Sequence, residues 1–323
     1  MQDRIVFGPV PSRRLGQSLG INNIPPKICS YSCVYCQIGE TRNFSAERKE
    51  FYTIERIVSD VSIVLKNLKE KNENIDFISF VPDGEPTLDI NLGKEIAALK
   101  KFNIPVAVIT NASLLWKSDV RRDLKNADLV SLKIDTVNMN IWKKINRPVE
   151  GLVLDRILEG IKKFSCEFKG ILITETLLVK DINDSEETIE ETALFISNIK
   201  PSVAYIGIPT RPPAEKWVSP PAEERVLYAY ETFKGYGIKT ELITGSGSGS
   251  FGFTGDVEKD IVNTVSVHPM SKKQVEELIK KAGDYQGIIE KLLKKGEIRE
   301  IEYQGEKYYI RNFSKQKYRQ DSQ

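Results

Sequence analysis

The chain has 323 residues, of which 40% are hydrophobic and 28% are charged, and its formal net charge at pH 7 is +2. This composition is that of an ordinary globular protein, with room for one large domain or for a large and a small one. No apolar run approaches the roughly 20 residues that cross a bilayer, and the start lacks a secretory signal, so we expect no membrane association and a cytoplasmic location.

Strand-like and helix-like segments alternate from residue 17 to residue 243. In chain order we predict a strand at 17–22, a helix at 54–71, a strand at 75–81, a helix at 91–102, a strand at 105–110, a helix at 118–125, a strand at 129–134, a helix at 153–165, a strand at 170–179, a helix at 185–199, a strand at 203–208, a helix at 221–235 and a strand at 238–243. Five or six such β–α units predict a parallel sheet with helices on its outer face. Residues 1–245 are therefore predicted to form an α/β fold, a partial (β/α)6 TIM-like barrel, with the reactive site at the carboxyl ends of its strands.

A segment rich in glycine and serine interrupts this alternation at residues 246–255. Such a composition is typical of a flexible linker or a lid. A phosphate-binding loop is the alternative, but the Lys-Ser/Thr pair that a P-loop needs does not follow.

A smaller unit follows at residues 256–323. We predict helices at 256–265, 271–282 (N-capped by Ser271) and 285–295 (ended by Gly296), and a hairpin at 297–311 that turns at Gln304 and Gly305. Three helices and a hairpin resemble a winged helix, in which the third helix and the hairpin often contact nucleic acid. The basic side chains available for this contact are Lys291, Lys294, Lys295, Arg299, Lys315, Lys317 and Arg319. Because the unit has 14 basic and 12 acidic residues, a protein-contact module is an equal alternative.

Three of the four cysteines, Cys29, Cys33 and Cys36, lie within eight residues. A disulfide framework does not suit so few cysteines in a chain of this length, and a structural zinc ion would need a fourth ligand. The remaining candidates, Cys166 and the single histidine His268, are distant in sequence. A [4Fe–4S] cluster held by three thiolates, with one iron left open, suits this set best, and zinc is the alternative.

The spacing C-x3-C-x2-C, with Tyr35 just before the last cysteine, resembles the cluster loop of the radical S-adenosylmethionine (SAM) superfamily. The resemblance implies that the amino and carboxylate groups of SAM chelate the open iron. It also implies that an electron, from a donor such as ferredoxin or flavodoxin, cleaves SAM to a 5′-deoxyadenosyl radical that abstracts hydrogen from a substrate.

Further cofactor contacts are implied by the same resemblance. Gly84 and Glu85, in the run Asp83-Gly-Glu-Pro-Thr87, resemble the Gly-Glu-Pro motif that meets the amino group of SAM, although a plain strand-to-helix turn is the alternative. Asn111 and Ser131 are assigned to the ribose or adenosine, and Lys133 to the methionine carboxylate. The next two strand ends add Thr174, Glu175 and Thr176, which face the same mouth, Gly207, where a glycine allows close approach to an adenine face, and Arg211, whose guanidinium suits a substrate phosphate or carboxylate. No catalytic residue is assigned.

The run from Phe7 to Gly20 holds Arg13 and Arg14 in a Gly/Pro-rich frame, which suits an anionic substrate or partner. Together with residues 24–29 and 145–148 it resembles the iron–sulfur oxidoreductases related to wyosine synthases, which modify tRNA. No cysteine precedes Cys29, so a second cluster like that of the archaeal wyosine synthases is not expected.

The resulting hypothesis is a radical SAM enzyme that modifies an RNA base, with tRNA as substrate and partner. Two alternatives stay open: a radical enzyme that acts on a protein or peptide, and a regulator in which the cluster senses redox state or nucleic acid. The Gly-Glu-Pro turn and the polar strand ends argue against the regulator, because a sensor needs no nucleoside pocket.

Overall fold

The computed structural model describes residues 5–243, 251–283, 285 and 287–312. Up to residue 243 its strands are β1 (Val6–Ser12), β2 (Gly16–Ile21), β3 (Ile28–Cys29), β4 (Asn43–Phe44), β5 (Phe77–Phe80), β6 (Val106–Thr110), β7 (Leu129–Lys133), β8 (Ile171–Leu177), β9 (Val203–Gly207) and β10 (Thr240–Ile243). Its helices there are α1 (Ile54–Glu70), α2 (Leu92–Leu99), α3 (Ser118–Leu124), α4 (Met139–Ile145), α5 (Leu154–Glu167), α6 (Glu186–Ile199) and α7 (Glu223–Gly235). Short 3₁₀ turns lie at Pro86–Leu88 and Lys100–Phe102.

Eight strands form one curled sheet, a half-barrel, in the order β1-β2-β5-β6-β7-β8-β9-β10. Neighbours from β2 onward pair in parallel, and β1 alone pairs antiparallel, with β2. The predicted partial barrel is confirmed. Strands such as β5 and β6 are apolar almost throughout because helices cover one face of the sheet and the barrel interior covers the other.

The helices form where the sequence predicts them because each presents one apolar stripe to the sheet. In α1 the stripe is Ile57, Val61, Val64 and Leu68, and the hydroxyl of Thr53 accepts a hydrogen bond from the backbone N–H of Arg56 at the helix start. One predicted helix is shorter than expected, because α2 ends at Leu99 and a 3₁₀ turn completes the segment before Asn103 adopts a positive φ of 54°.

Strand β1 and helix α4 are among the elements that were not predicted. Strand β1 contains Gly8, Pro9 and Pro11, residues that normally disfavour strands, but proline is tolerated at the edge of a sheet, where β1 lies. Helix α4 is only seven residues long and begins where the side chain of Asn138 accepts two backbone N–H groups.

The described residues after 250 form α8 (Val257–Val267), β11 (Met270–Ser271), α9 (Lys272–Ala282), α10 (Ile288–Lys295), β12 (Ile298–Tyr303) and β13 (Glu306–Arg311). The strands pair in the order β11-β13-β12. The predicted cap at Ser271, the helix end at Gly296 and the hairpin turn at Gln304 and Gly305 are all observed. We call residues 251–312 the C-terminal module.

Residues 246–250 of the predicted linker or lid at 246–255 lie outside the described residues. Its other end packs tightly: Phe251 is buried in the core of the C-terminal module, and the backbone N–H of Gly252 donates to the carbonyl of Pro9 at 2.9 Å. Val10 of β1 packs against the same core, so the module sits directly on the edge of the half-barrel.

None of the described helices combines the length and the apolar composition needed to cross a membrane.

Candidate active site

A cavity of about 370 Å³ opens at the carboxyl ends of the parallel strands and extends into the half-barrel. Its wall brings together almost every predicted site residue. These are Cys29, Cys33, Cys36, Gly84, Glu85, Asn111, Ser131, Lys133, Glu175, Gly207, Arg211, Arg13 and Arg14. Two predicted residues behave differently: Thr174 and Thr176 are buried in β8, and the hydroxyl of Thr176 donates to the carbonyl of Ile134 at 2.7 Å.

Cys29 ends β3, and Cys33 and Cys36 lie in the loop that follows, in which the N–H of Cys36 donates to the carbonyl of Cys33 at 3.0 Å. Amide groups from two other elements point at two of the sulfurs. Nδ2 of Asn111 lies 3.6 Å from Sγ of Cys29, and Nδ2 of Asn146 lies 3.3 Å from Sγ of Cys33. N–H donors of this kind stabilise a sulfur that carries negative charge, as a cluster ligand does.

Burial disfavours the charged form of these thiols. It raises the pKa of Cys29 well above the usual value, with the negative charge of Glu85 adding to the effect. It raises the pKa of Cys33 to about 12, with Asp135 as the second cause. Binding of iron must therefore displace protons from these sulfurs, which makes assembly of a metal centre dependent on pH.

In the described part of the chain, no three His, Cys, Asp or Glu side chains converge closely enough to hold a single metal ion. Three thiolates that bind one iron–sulfur cube each bind a different iron, so they lie farther apart than the ligands of one ion. The donor set, the amide groups at the sulfurs and the cavity beside them fit a cluster with one open iron.

Gly84 lies so close to the cysteine loop that no other residue fits. A Cβ built on it would lie 1.8 Å from the carbonyl oxygen of Ile28, and the N–H of the next residue, Glu85, donates to that same oxygen at 3.2 Å. The Gly-Glu-Pro turn is thus pressed against the backbone that carries Cys29.

The carboxylate of Glu85 is 1% exposed and is surrounded by donors. One oxygen accepts from the N–H and hydroxyl of Thr87 and from the hydroxyl of Thr110, and the other accepts from the N–H of Asn111 at 2.7 Å. Burial raises the pKa of Glu85, and these hydrogen bonds oppose the rise. The side chain ties the turn after β5 to the end of β6, and its predicted contact with SAM stays a prediction.

Ser131 carries a polar atom without a partner at the cavity wall. Its hydroxyl is 1% exposed, and no described protein group hydrogen bonds to it. An unpaired buried hydroxyl is unfavourable, and a ligand hydroxyl in the cavity would satisfy it. This observation fits the predicted nucleoside contact.

Lys133 does not stand alone, because its Nζ lies 3.2 Å from a carboxylate oxygen of Glu175 and 4.7 Å above the ring of Tyr35. Glu175 also pairs with Arg14. Lys133 therefore links Tyr35 of the cysteine loop to Glu175 and, through Glu175, to Arg14 in the turn before β2. A ligand carboxylate bound at Lys133 would share the ammonium group with Glu175.

Sequence reasoning missed two features of this site. Asp135, just after β7, accepts from the hydroxyl of Tyr35 and from Nδ2 of Asn146 at 2.7 Å, so it holds both beside Cys33. His268 of the C-terminal module lines the cavity, although the sequence suggests it only as a distant zinc candidate. The polar strand end at Asp135 was a usable signal, but nothing in the sequence places His268 here.

The chain is similar to known proteins over much of its length. Residues 23–196, more than half of the chain, match the profile of the radical SAM superfamily. A UPF0026 protein of Methanocaldococcus jannaschii is 47% identical over 311 residues, which cover 95% of this chain and 96% of that protein. A GTP 3′,8-cyclase of Helicobacter pylori is 28% identical over 205 residues, which cover 62% of this chain and 59% of the cyclase.

Two solved structures share the fold. A radical SAM methyltransferase from Sphaerobacter thermophilus aligns with a TM-score of 0.53 at 15% identity, over 70% of this chain and 66% of that chain. TYW1 with a lysine–pyruvate adduct bound aligns with a TM-score of 0.53 at 13% identity, over 68% of this chain and 73% of that chain.

At such low identities these structures show the half-barrel fold alone, whereas the profile match and the archaeal relative show the family. Its members bind a [4Fe–4S] cluster and SAM, the two cofactors that the cysteine loop predicts. This protein belongs to the radical SAM superfamily of enzymes.

Proposed function

We propose that this enzyme modifies a base of tRNA by radical chemistry. When bound, the cluster and SAM supply a 5′-deoxyadenosyl radical that abstracts a hydrogen atom from the substrate. The observation that carries the proposal is that one cavity joins the cysteine loop to several cationic side chains. A nucleotide substrate offers phosphate groups to match these cations.

The chain's own residues have the following roles in this proposal. Cys29, Cys33 and Cys36 would hold the cluster, and the side-chain amides of Asn111 and Asn146 donate to the sulfurs of Cys29 and Cys33. Gly84 allows the Gly-Glu-Pro turn to approach the cysteine loop, Ser131 binds a ribose hydroxyl, and Lys133 binds the methionine carboxylate. The half-barrel and the C-terminal module together limit the access of water to the cavity, which protects a radical from side reactions.

Two resemblances support a nucleic-acid substrate. The N-terminal arginine run resembles that of tRNA-modifying wyosine-related enzymes, and the GTP 3′,8-cyclase relative bears a name that specifies a guanine nucleotide. We propose the same kind of chemistry here on a nucleotide within RNA.

The C-terminal module is proposed to be a winged helix that recruits the RNA. Its helices and strands follow one another in the predicted order, and it stands beside the cavity. Lys291 and Lys295 already pair with Glu258, so RNA would have to exchange these ion pairs. Lys315, Lys317 and Arg319 lie outside the described residues.

We further propose a cytoplasmic location and a small donor protein, such as ferredoxin or flavodoxin, as the source of the electron. A reducing compartment suits an air-sensitive cluster and the cysteine thiols that would hold it.

The proposal is tested by release of 5′-deoxyadenosine from anaerobically reconstituted, dithionite-reduced protein, with and without bulk tRNA. We expect release that rises when tRNA is added, and that is lost in a Cys33→Ala variant and after digestion of the tRNA with ribonuclease. Release that is indifferent to tRNA would contradict the RNA substrate and favour a protein or peptide; absence of release with the cluster present would favour the regulator.

A further inference from the structure

Arginines from two separate loops line the same cavity. Arg13 and Arg14 lie in the turn between β1 and β2, and Arg211 lies in the loop after β9. All three line the cavity wall. Nη1 of Arg211 donates to Oε1 of Gln37 at 3.2 Å, so this cationic group is one residue away from Cys36 of the cysteine loop.

The positive charges outnumber the carboxylates that face them. The described wall of the cavity carries Arg13, Arg14, Lys133 and Arg211, against the carboxylates of Glu85 and Glu175. Glu85 is already surrounded by hydroxyl and N–H donors, and Glu175 is shared between Lys133 and Arg14. Three guanidinium groups on the wall of a partly buried cavity favour an anionic ligand.

Burial makes this excess costly in the absence of a ligand. It is the largest cause of a pKa lowered to about 10 in both Arg14 and Arg211, and the charges of Arg14 and Arg13 contribute to the lowering at Arg211. Guanidinium groups bind phosphate through two parallel N–H donors, and a bound anion would relieve the repulsion among them.

The C-terminal module completes this end of the cavity. His268 lies on the wall, and desolvation together with the charges of Arg211 and Arg14 lowers its pKa well below the usual value, so the imidazole is neutral and can donate one N–H. The hairpin holds the loop that carries Arg211, because the hydroxyl of Tyr303 donates to the carbonyl of Pro209 at 3.2 Å. The hydroxyl oxygen of Tyr308 lies 3.3 Å from the carbonyl oxygen of Thr210 and 3.0 Å from a carboxylate oxygen of Glu306.

We infer that Arg14, Arg211 and His268 form a subsite for a phosphate group of the substrate, and that the C-terminal module is therefore part of the substrate pocket. This inference rests on the proposed function in one respect, that the phosphate belongs to the nucleotide undergoing modification. The subsite fixes the nucleotide at its phosphate, so that its base or sugar is held in the same cavity as the cysteine loop.

The test uses anaerobically reconstituted protein with SAM present, titrated with inorganic phosphate in a calorimeter. We expect phosphate binding that weakens at least tenfold in Arg211→Gln and in Arg14→Gln, less in Arg211→Lys, and not at all in Arg225→Gln. Arg225 is the matched control, because it is an exposed arginine that pairs with Glu186 on the outer helices. SAM affinity, measured in the same variants, should stay unchanged in Arg211→Gln.

A second measurement needs no variant. In the wild-type protein, phosphate should slow the modification of Arg14 and Arg211 by phenylglyoxal, followed by peptide mass spectrometry, and should leave Arg225 unaffected. Equal modification rates with and without phosphate, equal phosphate affinity in all variants, or acetate that binds as tightly as phosphate would overturn the inference.

The outcomes separate this inference from the proposed function. Phosphate binding that depends on Arg211, without stimulation by tRNA, would keep the subsite and reject the RNA substrate. Stimulation by tRNA with phosphate binding indifferent to Arg211 would reject the subsite alone.

Discussion

The backbone N–H of Asn111 donates to a carboxylate oxygen of Glu85 at 2.7 Å, and the side chain of the same asparagine reaches Sγ of Cys29. One buried carboxylate thus sets the position of an amide that faces the cysteine loop. The motif residue Glu85 has a structural role in addition to any contact that it makes with a cofactor.

Replacement of Glu85 by glutamine tests this role. Glutamine keeps one acceptor oxygen but turns an NH₂ group toward a donor, so at least one buried N–H or hydroxyl loses its partner. We expect the free energy of unfolding to fall by about 1–3 kcal/mol, measured by urea denaturation of the metal-free protein. The exposed Glu224→Gln should leave it unchanged, and an unaltered midpoint in Glu85→Gln would contradict the assigned role.

Replacement of Gly84 by alanine should separate the turn from the cysteine loop. The added Cβ would lie 1.8 Å from the backbone oxygen of Ile28, which cannot move without moving Cys29. We expect a loss of about 1–3 kcal/mol in stability and fewer iron atoms per chain after reconstitution. Gly235→Ala is the control, because no atom lies within 4 Å of the position that its added methyl group would occupy; equal iron content in both variants would refute the steric argument.

Ser131→Ala should weaken binding of SAM without weakening the fold. The hydroxyl has no partner among the described protein groups, so its removal leaves none unsatisfied. Loss of one hydrogen bond to the ribose should weaken SAM binding about 2- to 10-fold by equilibrium dialysis, with no decrease in the melting temperature.

Thr174→Val provides the comparison for this variant. Thr174 is also fully buried with an unpaired hydroxyl, but it does not line the cavity. Its replacement should leave SAM affinity unchanged. Equal SAM affinity in Ser131→Ala and wild type would remove Ser131 from the nucleoside contact.

The buried pair Glu95 and Asp89 predicts a dependence of stability on pH. Desolvation first, and then the charge of Asp89, raise the pKa of Glu95 above its ordinary value of 4.5. A raised pKa means that the folded state binds the proton more tightly than the unfolded chain. The contribution of Glu95 to the free energy of unfolding is therefore fully present below pH 4.5. It is lost as the pH rises through the raised pKa of the folded state.

Glu95→Gln should remove this loss, because the amide is neutral and keeps an oxygen that can accept from Asn23, the present partner of Glu95. Between pH 6 and pH 8 the free energy of unfolding should fall less steeply in the variant than in wild type, by up to about 1.4 kcal/mol per pH unit. Urea denaturation at both pH values measures the difference; parallel curves would show that Glu95 does not titrate in this way.

The order of strands and helices was predictable because each parallel strand is a short apolar run and each helix has an apolar stripe, as α1 shows with Ile57 and Val61. The cavity residues at strand ends were predictable for the same reason, since parallel strands bring their carboxyl ends to one edge. Strand β1 was not predictable, because Gly8, Pro9 and Pro11 are typical of a turn. Only the position of β1 at the edge of the sheet explains why these residues are tolerated in a strand.

Side-chain partners between distant elements could not be predicted. Lys133 was assigned to a ligand carboxylate, but in the fold it also pairs with Glu175. These two residues become neighbours only because β7 pairs with β8. The position of His268 depends on how the C-terminal module packs on β1, which is a property of surface shape rather than of local pattern.

Transfer of hydrogen from RNA to SAM tests the central claim most directly. The reduced, reconstituted enzyme would be incubated with SAM and with tRNA isolated from cells grown in deuterated medium. The mass of the 5′-deoxyadenosine that forms would then be measured by mass spectrometry. We predict that it gains one mass unit with deuterated tRNA and none with ordinary tRNA. If 5′-deoxyadenosine forms but gains no deuterium from the RNA, the proposal that tRNA is the substrate of this cavity is contradicted.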